Sequence, residues 1–375
     1  MLAVEPQIAN AAAHAKGTSM LDRTQPPTIN VKELPNSLEA VNDYFYEQGL
    51  TDGLPIIPPT PERVERLLTG MSWREPDSIV GVVPPAMGVA TLRAITANAV
   101  MAGCLPAYLP VVVAAVEAVL EKEYGLAHRQ TTTHAGAPLL IVNGPVIEEI
   151  GLNYGNGVFG PGWRANATIG RALRLTLSNI GGAIPAETDF CQHAHPGKYT
   201  YCIAEHQAAN PWEPLHVERG FAAEESVVTV INAEAPHSMT ENVQTDPFEI
   251  MRTFADTMAT FGGNNLYSQG NPVVVLGPEH AQHIAAAGWH KKDIQMALFQ
   301  TARKPWGIAK DHGKSKGPFF PKWVNQSDPN AMVPIVNEPK DLIVIVAGGA
   351  GGKSMWCPTA GAQSLAVSKV IERGA

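Results

Sequence analysis

Charged residues are scarce in this sequence: Asp, Glu, Lys and Arg make up 17% of its 375 residues, whereas apolar types make up 45%. So low a charged fraction excludes long disordered segments and is typical of a compact chain that buries most of its length. It also favours buried subunit interfaces, so a homo-oligomer is expected. The net charge is −8 at pH 7 and no long basic run is present, so neither nucleic acid nor a membrane is an expected partner.

Cysteine is equally rare, with four residues at positions 104, 191, 202 and 357. No pair has the spacing of a zinc or redox motif, and so few cysteines in a long chain exclude a disulfide framework. The most apolar stretch, residues 108–120, has about thirteen residues, which is too short to span a bilayer. No signal peptide is expected, because the N-terminal segment through Asn30 has no basic region followed by an apolar region. These absences predict a cytoplasmic protein whose residues 1–30 form a flexible arm.

Apolar runs bounded by proline and glycine predict buried strands at residues 138–145, 272–276 and 341–347. Helical periodicity predicts helices at residues 91–102, 109–121, 248–261, 278–287, 291–302 and 363–372. The alternation predicts an α/β fold with mixed or mainly parallel buried sheet segments, flanking helices and two lobes. We place a main α/β domain at residues 31–240 and a second α/β lobe, with a C-terminal glycine loop, at residues 241–375.

Residues 153–182 combine a glycine-rich approach with a predicted helix that starts near Gly162. On that helix Arg164, Arg171 and Arg174 fall on one side. Glycines allow close approach of the backbone to a ligand, and the free N–H groups of a first helical turn attract anions. We therefore predict a small anionic substrate, clamped by the arginines with Asn166 as a polar contact. The alternative is a surface helix whose arginines pair with acidic neighbours.

Two loops add substrate-binding candidates. Asp52 follows Thr51 in a rigid proline-rich loop, where it is either a ligand contact or a turn residue. The segment 348–354 reads GGAGGKS, but Ala347 stands where a phosphate-binding P-loop needs glycine. We still interpret this segment as a loop whose backbone can hold an anion, with Lys353 and Ser354 as contacts.

Three side chains are candidates for catalysis. His134 ends a threonine run just before a predicted buried strand, where it is either a general acid or base or a structural histidine. Glu205 ends another predicted strand, and a buried carboxylate needs a partner. Cys357 follows the glycine loop, where its thiol is either activated or buried and inert.

Metal and cofactor signals are weak. His193, His195, Glu205 and His206 supply nitrogen and oxygen donors, but their spacing fits no familiar site. We predict no metal site and interpret these residues as turn and strand-face residues. No nicotinamide or flavin fingerprint is present, so the sequence identifies no cofactor.

Five blocks of the sequence together resemble a poorly characterised bacterial family associated with UGSC-type (seleno)proteins. The blocks are TDGLPIIPPTPERV, ANAVMAGCLPAYLPVV, GPGWRANATIGRALRL, PGKYTYCIAEH and NPWEPLHVERG. In that family a thiol- or selenol-bearing glycine motif follows a C-terminal strand, whereas this chain has KSMWC, which ends at Cys357. The resemblance implies a cytosolic enzyme of small-molecule metabolism.

Three functional hypotheses follow. The first is a cytosolic enzyme that acts on a small anionic metabolite by acid–base catalysis, as a lyase, hydratase or hydrolase at a carbon–heteroatom bond, with His134 and Glu205 transferring protons. The second is a thiol-dependent oxidoreductase that uses Cys357. The third is a non-catalytic ligand-binding subunit that needs a partner protein for activity.

Overall fold

The computed structural model describes residues 2–4, 31–317, 320–359 and 364–374. The arm predicted for residues 1–30 therefore lies outside the described residues, apart from Leu2–Val4. Those three residues form a short strand that pairs antiparallel with Val31–Glu33, and Ala3 is fully buried.

The described strands are β1 Leu2–Val4, β2 Val31–Glu33, β3 Ile79–Val83, β4 Gly88–Thr91, β5 Ala137–Asn143, β6 Cys202–Ala204, β7 Val227–Ala233, β8 His237–Thr240, β9 Val273–Leu276, β10 Arg303–Pro305, β11 Met332–Pro334, β12 Ile343–Val346, β13 Lys353–Cys357 and β14 Val367–Val370. The described α-helices are α1 Leu38–Glu47, α2 Pro61–Leu68, α3 Leu92–Ala102, α4 Leu109–Leu120, α5 Leu126–Gln130, α6 Val146–Ile150, α7 Arg164–Asn179, α8 Leu215–Glu218, α9 Pro247–Met258, α10 Asn265–Ser268, α11 Pro278–Ala286, α12 Lys291–Thr301 and α13 Trp306–Ala309. Among the described residues, no helix has both the length and the apolar character needed to cross a membrane.

Two four-stranded sheets form the centre of the molecule. The first has the order β14-β7-β5-β6 and the second has the order β12-β9-β13-β8. In each sheet one outer pair is parallel, β5 with β6 and β9 with β12. The other neighbours are antiparallel. The predicted α/β class, with mixed sheets flanked by helices, is confirmed.

The strands alternate their side chains between two apolar layers, as the period of two in a strand requires. Leu139 and Ile141 of β5 pack with Val273 and Val275 of β9 in one cluster between the sheets. The intervening residues of β5 face α3, α4 and α7, and those of β9 face α9, α11 and α12. The result is a four-layer sandwich with helices outside and two sheets inside.

Local sequence explains the helices that cover the first sheet. The Thr91 hydroxyl accepts the Ala94 N–H at the start of α3, and Gly103 ends that helix with φ of 93°. Helix α4 is apolar around most of its circumference because it lies against β7 and β14 beneath α3 and α7. Each fully buried Leu or Val there stabilises the fold by roughly 1.5–3 kcal/mol.

The two sheets share one pairing pattern. Val230 pairs with β5 on one side and β14 on the other, and Trp356 pairs in the same way with β9 and β8. Three residues further along each strand, Ala233 and Thr359 pair with each other as an antiparallel bridge. A residue that pairs antiparallel with its own counterpart lies on a twofold axis, so an approximate internal twofold relates the two sheets.

The twofold brings an exchange of strands. After β7 the chain crosses to the second sheet as β8, and after β13 it crosses back to the first sheet as β14. The lobes predicted at residues 31–240 and 241–375 therefore correspond to the two sheets only in part, because each sheet takes its last strand from the other half.

The C-terminal helix predicted at residues 363–372 is wrong over its described part, where Val367–Val370 forms β14. Its side chains suit either state, and the open edge of β7 decides the outcome by supplying strand partners.

Candidate functional site

The sandwich has two ends, which separate the residues predicted to be catalytic. We call the end where β5, β6, β9 and β12 begin the amino end, and the end where they finish the carboxyl end. His134 precedes β5, and Cys357 pairs with Val273, the first residue of β9, so both lie at the amino end. Glu205 directly follows β6 at the carboxyl end. Because β5 is seven residues long, about 20 Å separates the ends, and Glu205 and His134 do not meet.

His134 has a different carboxylate beside it. Its Nε2 lies 3.1 Å from Oε1 of Glu234, and each side chain is 26% exposed. The two atoms form a close ion-pair contact that is not aligned as a hydrogen bond. His134 Nδ1 is buried and has no hydrogen-bond partner among the described residues. With Nε2 facing the carboxylate, the ring proton belongs on Nε2 and the lone pair on Nδ1.

His195 is the second histidine of this region. Its Nδ1 accepts the Gly197 N–H at 3.1 Å, which places the proton of the neutral ring on Nε2. That Nε2 is buried and lies toward the Ala233 backbone carbonyl, which forms a hydrogen bond with the ring. Burial lowers the pKa of His195, and the positive charge of Lys198 acts in the same direction. His195 is therefore a neutral donor at pH 7.

Tyr201 joins Cys357 to the histidines. Its hydroxyl lies 3.0 Å from the Glu234 carbonyl oxygen and 3.7 Å from Cys357 Sγ, and its ring meets His195 edge-on. Burial raises the pKa of Tyr201 well above its usual value, and burial raises the pKa of Cys357 to about 12. Cys357 is fully buried, so its thiol is protonated at neutral pH and out of contact with solvent. We call these five residues, His134, His195, Tyr201, Glu234 and Cys357, the histidine site.

A small cavity adjoins the histidine site, with a volume of about 10 Å³, which is room for roughly one water-sized group. Its walls are Gln130, Gly136, Pro138, Gly170, Leu173, Arg174, Gly197, Lys198 and Tyr201. Three wall residues bond directly to the histidine site: Gly136 N–H donates to the His134 carbonyl, Gly197 N–H to His195, and the Tyr201 hydroxyl to the Glu234 carbonyl. The cavity and the histidine site are therefore neighbours that share Tyr201.

The cavity wall carries two cations that share one carboxylate. Lys198 Nζ lies 2.6 Å from Asp189 Oδ2, and Arg174 Nη2 lies 3.4 Å from the same oxygen. The Asp189 side chain is 3% exposed. Burial lowers the pKa of Arg174, and the negative charge of Asp189 opposes this shift. The loop that carries Asp189, His195 and Lys198 holds two non-glycine residues in the left-handed region, at φ of 66° and 56°, and such strain concentrates at functional sites.

The other two arginines of α7 face elsewhere. Arg171 forms a bidentate pair with Asp52, at 2.7 and 2.8 Å. These two residues, each predicted to contact the ligand, therefore bind one another. Arg164 donates twice to the carbonyl of Gly103 at the end of α3. The amide of Asn166 holds the backbone of Asn153 and Cys202 and is buried. The helix begins at Arg164 as predicted, but only Arg174 lines the cavity.

The carboxyl end is filled by its own polar contacts. Glu205 is fully buried and accepts the side-chain amides of Asn143 and Asn210 and the N–H of Leu215, at 2.5–2.8 Å. Lys291 lies 3.9 Å away. A carboxylate with this many donors pins the chain between β6 and α8, which is a structural role.

The two glycine-rich loops meet at the same end. Gly348 N–H donates to the Tyr154 carbonyl, and a Cβ added at Gly349 would lie 1.4 Å from Oδ1 of Asn156. Ser354 is buried and shares its hydroxyl with His280 Nδ1 and the Gly277 N–H, whereas the Lys353 side chain is exposed. The predicted anion role of Lys353 and Ser354 stays a prediction.

The described residues contain no group of three or more His, Cys, Asp or Glu side chains placed to hold a metal ion. Of the weak metal candidates, His195 belongs to the histidine site, while His206 packs against Tyr154 at the carboxyl end. His193 is exposed.

Sequence reasoning missed Glu234, Asp189, Lys198 and Tyr201. A signal for Glu234 is present, because this carboxylate directly follows the buried strand β7, as Glu205 follows β6. Asp189 and Lys198 lie in an irregular loop without periodicity, and only the folded chain brings them to Arg174.

Comparison with protein-family models, with curated proteins and with solved structures gave no match to this chain. The resemblance to UGSC-type proteins stays a prediction from the sequence blocks.

Proposed function

We propose that this protein is an enzyme that binds a small anionic metabolite at the cavity and transfers a proton at the histidine site. Lyase or hydratase chemistry at a carbon–heteroatom bond fits best, and hydrolysis is the next candidate. One observation carries the proposal: His134 faces the Glu234 carboxylate with Nε2, and its buried Nδ1 has no hydrogen-bond partner among the described residues, next to the walls of a cavity that carries two cations. Buried polar atoms are rarely left unpaired unless a ligand or a catalytic step uses them.

His134 is the proton acceptor in this proposal. Its Nδ1 carries the free lone pair, and Glu234 beside Nε2 stabilises the imidazolium that forms when Nδ1 takes a proton. The proton then passes from Nδ1 to the leaving group or to water, which returns the histidine to its neutral form.

His195 supplies a neutral hydrogen bond. Its ring is hydrogen-bonded to the Ala233 backbone, and its lowered pKa keeps the ring uncharged, so the Nε2–H can turn from that carbonyl to a substrate oxygen that gains negative charge. Arg174 and Lys198 hold the anionic end of the substrate. Cys357 takes no part, because a fully buried protonated thiol is a poor nucleophile.

The test is hydrogen exchange in deuterated water. The purified protein is incubated with a panel of small carboxylates and phosphate esters, and NMR follows deuterium incorporation, elimination and hydration. We expect exchange with at least one compound, and we expect His134→Gln to slow it by about 10²–10⁴-fold. Glu234→Gln should slow it less, because His134 remains.

The matched control is His128→Gln, since His128 is exposed and lies outside the histidine site. It should exchange at the wild-type rate. No exchange or turnover with any compound, or an unchanged rate in His134→Gln, would overturn the proposal.

A further inference from the structure

The charges around the cavity indicate how many negative charges the ligand carries. Arg174 and Lys198 each contribute one positive charge, and Asp189, which contacts both, contributes one negative charge. These three side chains are at most 13% exposed. The cavity wall and its ion-pair partner therefore carry a net charge of about +1, from standard ionisation at pH 7.

Arg174 is bound more loosely than its neighbour on α7. Its hydrogen bonds to Gln130, Ala183 and Asp189 measure 3.2–3.4 Å. Arg171 holds Asp52 and the Pro55 carbonyl at 2.7–2.9 Å. Since N–H···O bonds centre on about 2.9 Å, Arg174 retains capacity to donate to a better acceptor. Its planar fork matches the two oxygens of a carboxylate.

A singly charged group balances this site, whereas a doubly charged group does not. A bound phosphate dianion would leave one uncompensated negative charge in a largely buried place, which is unfavourable. The carboxylate of Glu234 nearby increases that repulsion.

We infer that the cavity is a monocarboxylate site, in which Arg174 binds both carboxylate oxygens and Lys198 supplies the second charge, so that the substrate of the proposed enzyme is a small carboxylic acid. That the bound carboxylic acid is a substrate rests on the proposed function. Carboxylate binding itself is tested without any turnover.

The probe is formate, the smallest carboxylate, whose proton signal reports binding by saturation-transfer NMR. We expect wild-type protein to bind formate, and we expect inorganic phosphate at pH 8 to leave it bound. Arg174→Gln and Arg174→Lys should both weaken formate binding, the former by about tenfold or more, because a charge-assisted bidentate contact is lost. The lysine variant guards against misfolding, since it keeps the buried charge.

Arg164→Gln is the matched control, because Arg164 lies on the same helix and its guanidinium donates to the Gly103 carbonyl, away from the cavity. It should bind formate as the wild type does. Asp189→Asn raises the net charge by one, and phosphate should then displace formate. Equal displacement of formate by phosphate from the wild type, or wild-type affinity in both Arg174 variants, overturns the assignment.

The two proposals fail separately. His134→Gln should still bind formate, so binding without any deuterium exchange refutes proton transfer only. Deuterium exchange by a wild-type protein that does not bind formate refutes the carboxylate site only.

Discussion

The two halves of the internal twofold place different chemistry around the bridge between Ala233 and Thr359. Glu234 follows Ala233 in the first half and lies beside His134, with polar atoms left unpaired. Thr359 is the counterpart of Ala233, and its backbone and hydroxyl are held by Asn264 and Asn265 at 2.8–3.3 Å. The same backbone arrangement thus supports an open set of titratable groups in one half and a closed set of amides in the other.

This difference indicates that the two halves of the fold serve different tasks. Amides and hydroxyls that satisfy one another stabilise a crossing segment but have nothing left to offer a ligand. His134 and Glu234, beside Ala233 on the other side of the bridge, leave hydrogen-bonding capacity unused, which costs stability unless function needs it. The first half is therefore expected to carry activity and the second half to carry stability.

The largest expected effect is on activity. His134→Gln should reduce kcat/KM by about 10²–10⁴-fold, because it removes the proton acceptor. Asn265→Ala, in the equivalent region of the other half, should keep the wild-type rate when measured below its melting temperature. Steady-state kinetics on a substrate found by deuterium exchange compares the two. A large loss in Asn265→Ala alone would reverse the assignment of the halves.

Stability should show the opposite order. Asn265→Ala removes two buried hydrogen bonds to Thr359, and we expect it to lower the free energy of unfolding by about 2–4 kcal/mol. His134→Gln should change it by about 0.5 kcal/mol or less, since the ring is partly exposed and one nitrogen is unpaired. Urea unfolding followed by circular dichroism measures both. Equal destabilisation of the two variants would remove the contrast.

Cys357 lies on the second half's strand β13 but touches the first half's Tyr201. Cys357→Ala should leave activity intact and lower the free energy of unfolding by about 1 kcal/mol, as is usual for a conservative core change. In native protein the thiol should resist alkylation until the fold opens, because burial raises its pKa to about 12. Mass spectrometry of alkylated protein shows this directly. Rapid alkylation of Cys357 with loss of activity would instead favour a thiol mechanism.

The smallest effect is on pH dependence, and each half contributes one histidine to it. Burial lowers the pKa of His195 in the first half and of His280 in the second. An unfolded histidine titrates near pH 6.5, so below that pH the unfolded chain binds more protons than the folded one. Stability is fully present above about pH 6.5 and is lost as the pH falls through the lower folded-state pKa values.

Urea midpoints between pH 7.5 and 5 test this effect. His195→Gln and His280→Gln should each make the loss of stability shallower than in the wild type. Parallel curves for all three proteins would show that neither histidine is held neutral by the fold.

Much of the fold follows from local patterns in the sequence. Apolar runs bounded by proline and glycine identified β5, β9 and β12, and helical periodicity identified α3, α4 and the start of α7 at Arg164. The C-terminal strand β14 could not be found in this way, because its conformation depends on the open edge of β7 more than on its own residues.

The site was less predictable, for a physical reason. The spacing of Arg164, Arg171 and Arg174 predicts one helix side, but the partner of each comes from a distant segment. Asp52 forms an ion pair with Arg171 away from the cavity, whereas Asp189 pairs with Arg174 at the cavity wall. His134 and Cys357 share one end only because β13 runs antiparallel to β9, and no local pattern encodes that strand order.

The exchange of strands between the sheets also determines when each sheet can be completed during synthesis. During synthesis the first sheet lacks its outer strand β14 until residues 367–370 have been made, long after β5, β6 and β7 emerge. Until then the edge of β7 exposes unpaired backbone groups that other chains can join. A nascent or truncated chain therefore depends on shielding of that edge, because β14 completes the first sheet only after β13 has completed the second.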